Sequence, residues 1–262
     1  MTPDQLRTDF LALLERKERE QVYQDYIEHN SLLVPREFVQ NHGIHCSMVL
    51  RKLPFGADFK SDLFYLSKSS DDWNAVFIEL EKPQSRFFQN GSNKFHSDFV
   101  QALQQINQWK AWFLDDGNQQ GFLTGTINAI RVPAVMTRNP TYNKYVLVFG
   151  RRNEYAGNDQ RRKLIKAQET DDFKIITYDS LVEGLGQKQG LFTAARHNDH
   201  IRILSNELVE KEIFAWVDPS LLSVNSVLYA AILAAVPSNI HLTKNGEWIE
   251  ALGHIAPHLR RH

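Results

Sequence analysis

Cysteine is nearly absent from the 262-residue sequence, which contains Cys46 alone. One cysteine excludes an intrachain disulfide framework and suits a reducing compartment. Long apolar runs are absent too, since the longest, Val227 to Val236, is about half of the roughly 20 residues that a membrane span needs. The charged segment 1–21 has no apolar run typical of a signal peptide. We therefore expect a cytoplasmic protein without a membrane partner.

A strong excess of either charge is also missing, because 30 basic and 31 acidic residues leave a formal net charge of −1. This balance argues against a protein held on nucleic acid by overall charge alone. Basic residues are nevertheless concentrated locally, first in Arg151 and Arg152 and then in Arg161, Arg162 and Lys163. Taken alone, either concentration has an ordinary solvated surface as its alternative.

Apolar periodicity predicts an alternation of helices and strands. Helical spacing covers residues 3–29, 95–114 and 159–168, and strand-like runs cover 45–52, 61–66, 73–81, 145–149 and 173–178. A turn-like segment joins the second and third of these strands and predicts a hairpin. After residue 185 the pattern weakens, with strands expected over 200–204 and 213–217 and helices over 223–235 and 247–255.

This alternation predicts an α/β fold in which a mixed β-sheet is flanked by helices. The length exceeds the commonest domain size and favours one main domain with an appendage. We divide the chain into an N-terminal helical segment (1–20), a main domain (21–185) and a C-terminal α+β extension (186–262).

Three carboxylates stand on the predicted hairpin. Side chains alternate faces along a strand, so Glu79 and Glu81 share one face while Ile78 and Leu80 point to the other. Pairing with the preceding strand brings Asp62 towards them at one edge of the sheet. Carboxylates at such short distances repel one another unless a cation neutralises them, and Mg²⁺ prefers oxygen ligands. The pattern predicts a divalent-metal site, with solvent-facing positions of a half-buried hairpin as the alternative.

The helix over 95–114 carries an apolar stripe that predicts packing against the core. On helical geometry Gln105 lies at the rim of this stripe beside Ala102 and Trp109, whereas Gln104 points to solvent. A glutamine at the rim can reach a site at the sheet edge and hold a water or a phosphate oxygen. An ordinary boundary polar residue is the alternative.

The order of these segments resembles one known family. A strand with aspartate, SDLFYL, is followed by a strand with VFIELEKP and a helix with ALQQINQW, and the later strand YVLVFGRR precedes RRKL and IITYDSL. This order resembles Shedu, a bacterial anti-phage family with a PD-(D/E)xK nuclease core, over roughly residues 20–185. The resemblance implies a restriction-endonuclease-like fold and a DNA-cleaving enzyme that uses Mg²⁺ or Mn²⁺ and assembles as a homo-oligomer.

Carried across by position, the resemblance implies that Asp62 and Glu79 bind the metal and that Gln105 is the helix glutamine of the site. This sequence departs from the usual E-x-K motif at the third position, where Glu81 stands in place of lysine and offers a third carboxylate to the metal. Lys82 follows one residue later. It would point to the opposite face of a regular strand unless a bulge turns it.

Two further residues are candidates for this site. Lys60 shares the face of Asp62 and is the second candidate for the catalytic lysine. Glu28, on the helix that leads into the core, is an acid of the kind that related nucleases use.

The function that the resemblance implies is metal-dependent hydrolysis of DNA by an endonuclease in anti-phage defence. The two basic concentrations would then contact DNA phosphates. The alternative is a catalytically impaired protein of the same fold that binds DNA ends or a protein partner without cutting. The lysine missing from E-x-K favours this alternative.

Overall fold

A nine-stranded mixed β-sheet forms the centre of the computed structural model, which describes residues 1–57, 59–235, 242–244, 247–249 and 258–262. In chain order the strands are β1 (Met48–Phe55), β2 (Phe59–Lys68), β3 (Trp73–Leu80), β4 (Thr141–Val148), β5 (Phe173–Ile176), β6 (Phe192–His197), β7 (His200–Ile203), β8 (Leu222–Val224), β9 (Leu242–Lys244), β10 (Glu247–Ile249) and β11 (Arg260–Arg261). The large sheet has the order β11-β8-β7-β6-β1-β2-β3-β4-β5, and β9 pairs with β10 in a separate two-stranded sheet.

The centre of the sheet is an antiparallel meander of β1, β2 and β3. The hairpin predicted from segments 61–66 and 73–81 is therefore confirmed. On one side β4 runs parallel to β3 and β5 runs parallel to β4. On the other side β6 runs parallel to β1. The combination of both pairing types confirms the predicted mixed sheet.

Helices lie on both faces of this sheet. In the part of the chain that the structure describes, they are α1 (Pro3–Leu14), α2 (Glu20–His29), α3 (Ser97–Phe113), α4 (Asp116–Gly121), α5 (Asp159–Lys166), α6 (Glu212–Trp216) and α7 (Ser226–Ala235). On one face Phe10 of α1 and Tyr23 and Ile27 of α2 share a core with Val76 and Ile78 of β3. The helices α3 and α5 belong to the core on the opposite face. This layering confirms the predicted α/β class.

The apolar stripe of α3 packs against the sheet as its spacing predicts. Its buried residues are Phe99, Ala102, Ile106, Trp109 and Phe113. They share a core with the odd-numbered residues of β3, which are Trp73, Ala75 and Phe77. Because side chains alternate along a strand, the next odd-numbered position, 79, is directed towards α3.

The segment 186–262 adds β6, β7, β8 and β11 to the same sheet. Two local predictions in it are wrong, because residues 213–216 lie in a helix rather than a strand and residues 247–249 lie in a strand rather than a helix. Periodicity alone does not separate helix from strand in such short apolar runs. The remainder of the predicted helix, 250–255, lies outside the described residues. The domain boundaries after residues 20 and 185 stay predictions.

The longest apolar run of the sequence coincides with α7, apart from Val236, which lies outside the described residues. Leu228 and Ile232 are buried in the chain's own core, whereas Val227 and Leu233 are exposed. Among the described residues, no helix combines the length and apolar character that crossing a bilayer requires.

Candidate metal and nucleic-acid site

Three charged residues form a row across β1, β2 and β3. In the register of β2 and β3, Leu63 pairs with Ile78, so one step further places Asp62 opposite Glu79. On the other side of β2 the pairs before and after Lys52 place this lysine opposite Asp62. Residues directly opposite one another on neighbouring strands have close Cβ atoms. The register therefore brings Lys52, Asp62 and Glu79 together.

The Asp62 carboxylate is fixed by two donors. Its Oδ2 accepts a hydrogen bond from the backbone N–H of Leu80 at 2.8 Å, and its Oδ1 pairs with Nζ of Lys52. The residue is only 5% exposed. A buried carboxylate requires such partners, because desolvation of an unpaired charge is costly. Asp62 is thus held in a defined position at the end of the hairpin.

Glu79 has one bonded oxygen and one oxygen without a partner. Gln105 of α3 donates from Nε2 to Oε1 of Glu79 at 2.6 Å, while Oε2 is buried and accepts no hydrogen bond. Burial raises the pKa of Glu79 well above its ordinary value, and the neighbouring charge of Asp62 raises this pKa further. Gln105 thus contacts Glu79 and Gln104 is exposed, as the helical geometry predicts, while the role of Gln105 in a metal site stays a prediction.

Glu81 follows β3 and lies among other acids. Its backbone N–H donates to the carbonyl oxygen of Val148 at 2.9 Å. Burial raises the pKa of the Glu81 carboxyl to about 7, with smaller upward contributions from Glu20 and Asp62. The positive charge of Lys82 acts in the opposite direction. The third predicted carboxylate is therefore close enough to Asp62 to be affected by its charge.

The two lysines predicted from the sequence lie at the surface. Lys60 pairs with Pro54 in the strand register and is exposed. Lys82 is exposed as well, although its charge offsets part of the rise in the pKa of Glu20 and Glu81. Lys52, which sequence reasoning missed, forms an ion pair with the Asp62 carboxylate. Its place opposite Asp62 depends on the pairing of β1 with β2.

Glu28, the acid predicted on the helix that leads into the core, contacts other residues than those of the site. Glu28 of α2 is buried, pairs with Nε of Arg51 at 3.1 Å and accepts from Gln24 at 2.8 Å. Glu20, at the start of the same helix, has a pKa raised by burial and next by the charge of Asp62. Glu20 is thus near enough to Asp62 for its pKa to be affected by that charge, which sequence reasoning missed, while the role of Glu28 stays a prediction.

The donor set fits a hard divalent cation. No three Asp, Glu, His or Cys side chains converge as a ready-made metal centre in the part of the chain that the structure describes. Mg²⁺ commonly takes only one or two protein carboxylates and completes its shell with waters and substrate phosphate. Asp62 and Glu79 would hold such an ion, since Oε2 of Glu79 is a buried acceptor with no hydrogen-bond donor.

The first predicted basic concentration is engaged by acids of the same chain. The guanidinium of Arg151 contacts Asp179 at 2.9 Å and Glu15 at 3.1 Å. The guanidinium of Arg152 pairs with Glu183 at 2.5 Å, and its backbone N–H donates to Asp179. Their positive charges are therefore offset locally, and their contact with DNA stays a prediction.

The second predicted basic concentration lies on α5. Arg161 donates to two backbone carbonyl oxygens, and Arg162 pairs with Asp159 at 2.8 Å. Lys163 is exposed beside them. Since α5 and α3 belong to the same core, this surface lies on the face of the sheet towards which Glu79 is directed.

Comparison with known proteins places the chain in a family. The family model for the C-terminal part of the Shedu protein SduA matches residues 17–182, which is more than half of the chain. The matched range contains β1 to β5 and helices α2 to α5. No curated protein matches the chain. The match to the family model shows that the chain belongs to the Shedu family.

Proposed function

We propose that the protein is a divalent-metal-dependent deoxyribonuclease of anti-phage defence. Membership in the Shedu family connects the chain with defence against phage. The observation that supports nuclease chemistry is the partnerless, buried Oε2 of Glu79 beside the fixed carboxylate of Asp62. A hard cation at these oxygens would supply a Lewis acid and a water of lowered pKa for phosphodiester hydrolysis.

The chain's own residues prepare this site in distinct ways. Gln105 orients the Glu79 carboxyl, and the backbone N–H of Leu80 orients Asp62. Glu81 adds a third acid, whose pKa is raised to about 7 by burial and next by the neighbouring acids. In the reaction the oxygen of a water bonds to phosphorus, one ester P–O bond breaks and the departing oxygen takes up a proton. Preorganised groups lower the barrier because they need not reorient during reaction.

The second candidate function is DNA binding without cleavage. It is favoured by Glu81 at the position where the E-x-K pattern has lysine, and by the exposure of both Lys60 and Lys82. In this case the nuclease fold would hold DNA ends or a protein partner. The two candidates differ in whether a phosphodiester bond is broken.

A cleavage assay with matched variants separates them. Supercoiled and linear duplex DNA are incubated with the full chain and Mg²⁺, Mn²⁺ or a chelator, and Mn²⁺ binding is measured by calorimetry. We expect wild-type cleavage that needs the metal, and loss of both cleavage and Mn²⁺ binding in Glu79→Gln. Glu207→Gln, which alters an exposed acid after β7, is the control and should behave as wild type.

Two outcomes would contradict the nuclease proposal. Equal Mn²⁺ affinity in wild type and Glu79→Gln would show that Glu79 does not bind the metal. Binding of DNA and Mn²⁺ by the wild type without cleavage of any duplex would favour the second candidate function.

A further inference from the structure

The site as predicted from the sequence lacks a cation that touches its acids. Glu81 occupies the position at which the E-x-K pattern has lysine, and Lys60 and Lys82 are exposed. Hydrolysis of a phosphodiester builds up negative charge on the phosphate in the transition state. A nuclease stabilises this charge with a positively charged group in addition to the metal. Lys52 is the lysine whose ammonium reaches a carboxylate of the row.

The backbone of β1 is distorted where it carries this lysine. Leu50 and Leu53 both pack in the core on the α3 face, although residues three apart point to opposite faces of a regular strand. Arg51, between them, contacts Glu28 of α2 on the other face. The side chains of β1 thus switch from one face of the sheet to the other at Lys52, whose φ is +44°.

A positive φ is uncommon for a lysine and is maintained only where the surrounding structure imposes it. The neighbours of Lys52 do so: β1 pairs with β2 on both sides of it, at Arg51 with Leu63 and at Leu53 with Ser61. The side chain is 30% exposed, so its ammonium lies at the boundary between the acids and solvent. Such a position allows contact with Asp62 and with a phosphate that arrives from outside.

We propose that Lys52 is the catalytic cation of this site, in place of the lysine absent at position 81. The proposal rests on the proposed nuclease function. In the metal-free protein Lys52 neutralises Asp62, and a divalent cation held by Asp62 would compete with Lys52 for this carboxylate. Released from Asp62, the ammonium donates to a non-bridging oxygen of the scissile phosphate and stabilises the charge that accumulates there.

The test compares three lysines of one hairpin region. Lys52→Met removes the charge, and Lys52→Asn removes it with a residue that tolerates positive φ. Lys60→Met and Lys82→Met test the two lysines predicted from the sequence. For each variant we would measure the single-turnover cleavage rate, the Mn²⁺ affinity by calorimetry and the duplex DNA affinity.

We expect both Lys52 variants to cleave about 100-fold more slowly, the loss typical of removing one transition-state donor. Their Mn²⁺ affinity should be at least as high as that of wild type, because the competitor for Asp62 is gone. DNA affinity should be retained. Lys60→Met and Lys82→Met should each lose less activity than the Lys52 variants, and an equal loss in either would overturn the proposal.

Wild-type cleavage rates in both Lys52 variants would overturn the proposal and leave the nuclease intact. Weaker Mn²⁺ binding in both variants would overturn it too, since Lys52 would then only support the position of Asp62. A wild-type protein that binds Mn²⁺ without cutting DNA would refute the nuclease function and the role of Lys52 together.

Discussion

At the scale of single residues, Glu79 and Gln105 form the contact that joins the sheet to α3 at the site. The carboxyl has one donor, at 2.6 Å, and its other oxygen is buried without one. A buried acceptor that loses its partner costs about 1–3 kcal/mol. Gln105 therefore contributes to the stability of the metal-free protein as well as to the orientation of Glu79.

This contact gives a prediction with a control in the same helical turn. Gln105→Ala should lower the free energy of unfolding of the metal-free protein by about 1–3 kcal/mol, because both oxygens of Glu79 then lack donors. Gln104→Ala, at an exposed neighbouring position, should change it by less than about 0.5 kcal/mol. Urea denaturation of both variants measures the difference. Equal losses would mean that the hydrogen bond contributes nothing to stability.

At the scale of elements, the turn between β1 and β2 supports the helix that carries Gln105. Gly56 in this turn has φ +67°, and a Cβ there would meet Nε1 of the Trp112 indole at 2.9 Å. Trp112 is on α3, and its ring makes an edge-to-face contact with the ring of Phe55. The turn thus approaches α3 so closely that only glycine fits.

The element-scale prediction compares two glycines of similar φ. Gly91, at φ +66°, has no atom within 4 Å of the corresponding Cβ position. Gly91→Ala should therefore cost about 1–2 kcal/mol from backbone strain alone. Gly56→Ala should cost a further 1–3 kcal/mol, roughly the range for overpacking, because Trp112 must move. Thermal or urea unfolding measures both variants, and equal losses would argue against a tight contact between turn and helix.

At the scale of the whole molecule, the near-zero net charge confines DNA attraction to local surfaces. Most of the predicted arginines are paired within the chain: Arg151 with Asp179, Arg152 with Glu183 and Arg162 with Asp159. The Arg152–Glu183 and Arg162–Asp159 pairs are exposed, and exposed ion pairs are weak, so phosphate can compete for these two arginines. Lys163 is exposed on α5 and is the simplest position at which to test this surface.

The whole-molecule prediction concerns the salt dependence of DNA binding. If α5 contacts phosphates, Lys163→Ala should reduce the slope of log affinity against log salt by about one unit and weaken binding to all sequences alike. Arg7→Ala is the control, because Arg7 is exposed on α1, which packs on the opposite face of the sheet. Fluorescence anisotropy at several salt concentrations provides the slopes. An unchanged slope in Lys163→Ala would place the DNA elsewhere.

Assembly also belongs to this scale. The longest apolar run of the sequence is divided in α7, where Leu228 and Ile232 pack within the chain and Val227 and Leu233 are exposed. Burial in the chain's own core thus accounts for part of the run. The homo-oligomer stays a prediction.

What the sequence by itself determined follows from local periodicity. Alternation along β3 places Glu79 on the other face of the sheet from Ile78 and Leu80. The apolar stripe of α3 places Gln105 at the rim of that stripe. Both results need only the geometry of one strand or one helix. The hairpin of β2 with β3 was predictable as well, because its strands are joined by a short turn.

Only the tertiary structure decided which distant residues join this site. Lys52 lies opposite Asp62 because β1 pairs with β2 and carries a positive φ, which no periodicity indicates. The packing of α2 against the sheet brings Glu20 within range of the charge of Asp62, which raises the pKa of Glu20 after the larger effect of burial. The strand β6 joins the sheet by pairing with β1, more than 130 residues earlier. Such contacts are selected by burial and by backbone hydrogen bonding over the whole chain, so a local pattern does not contain them.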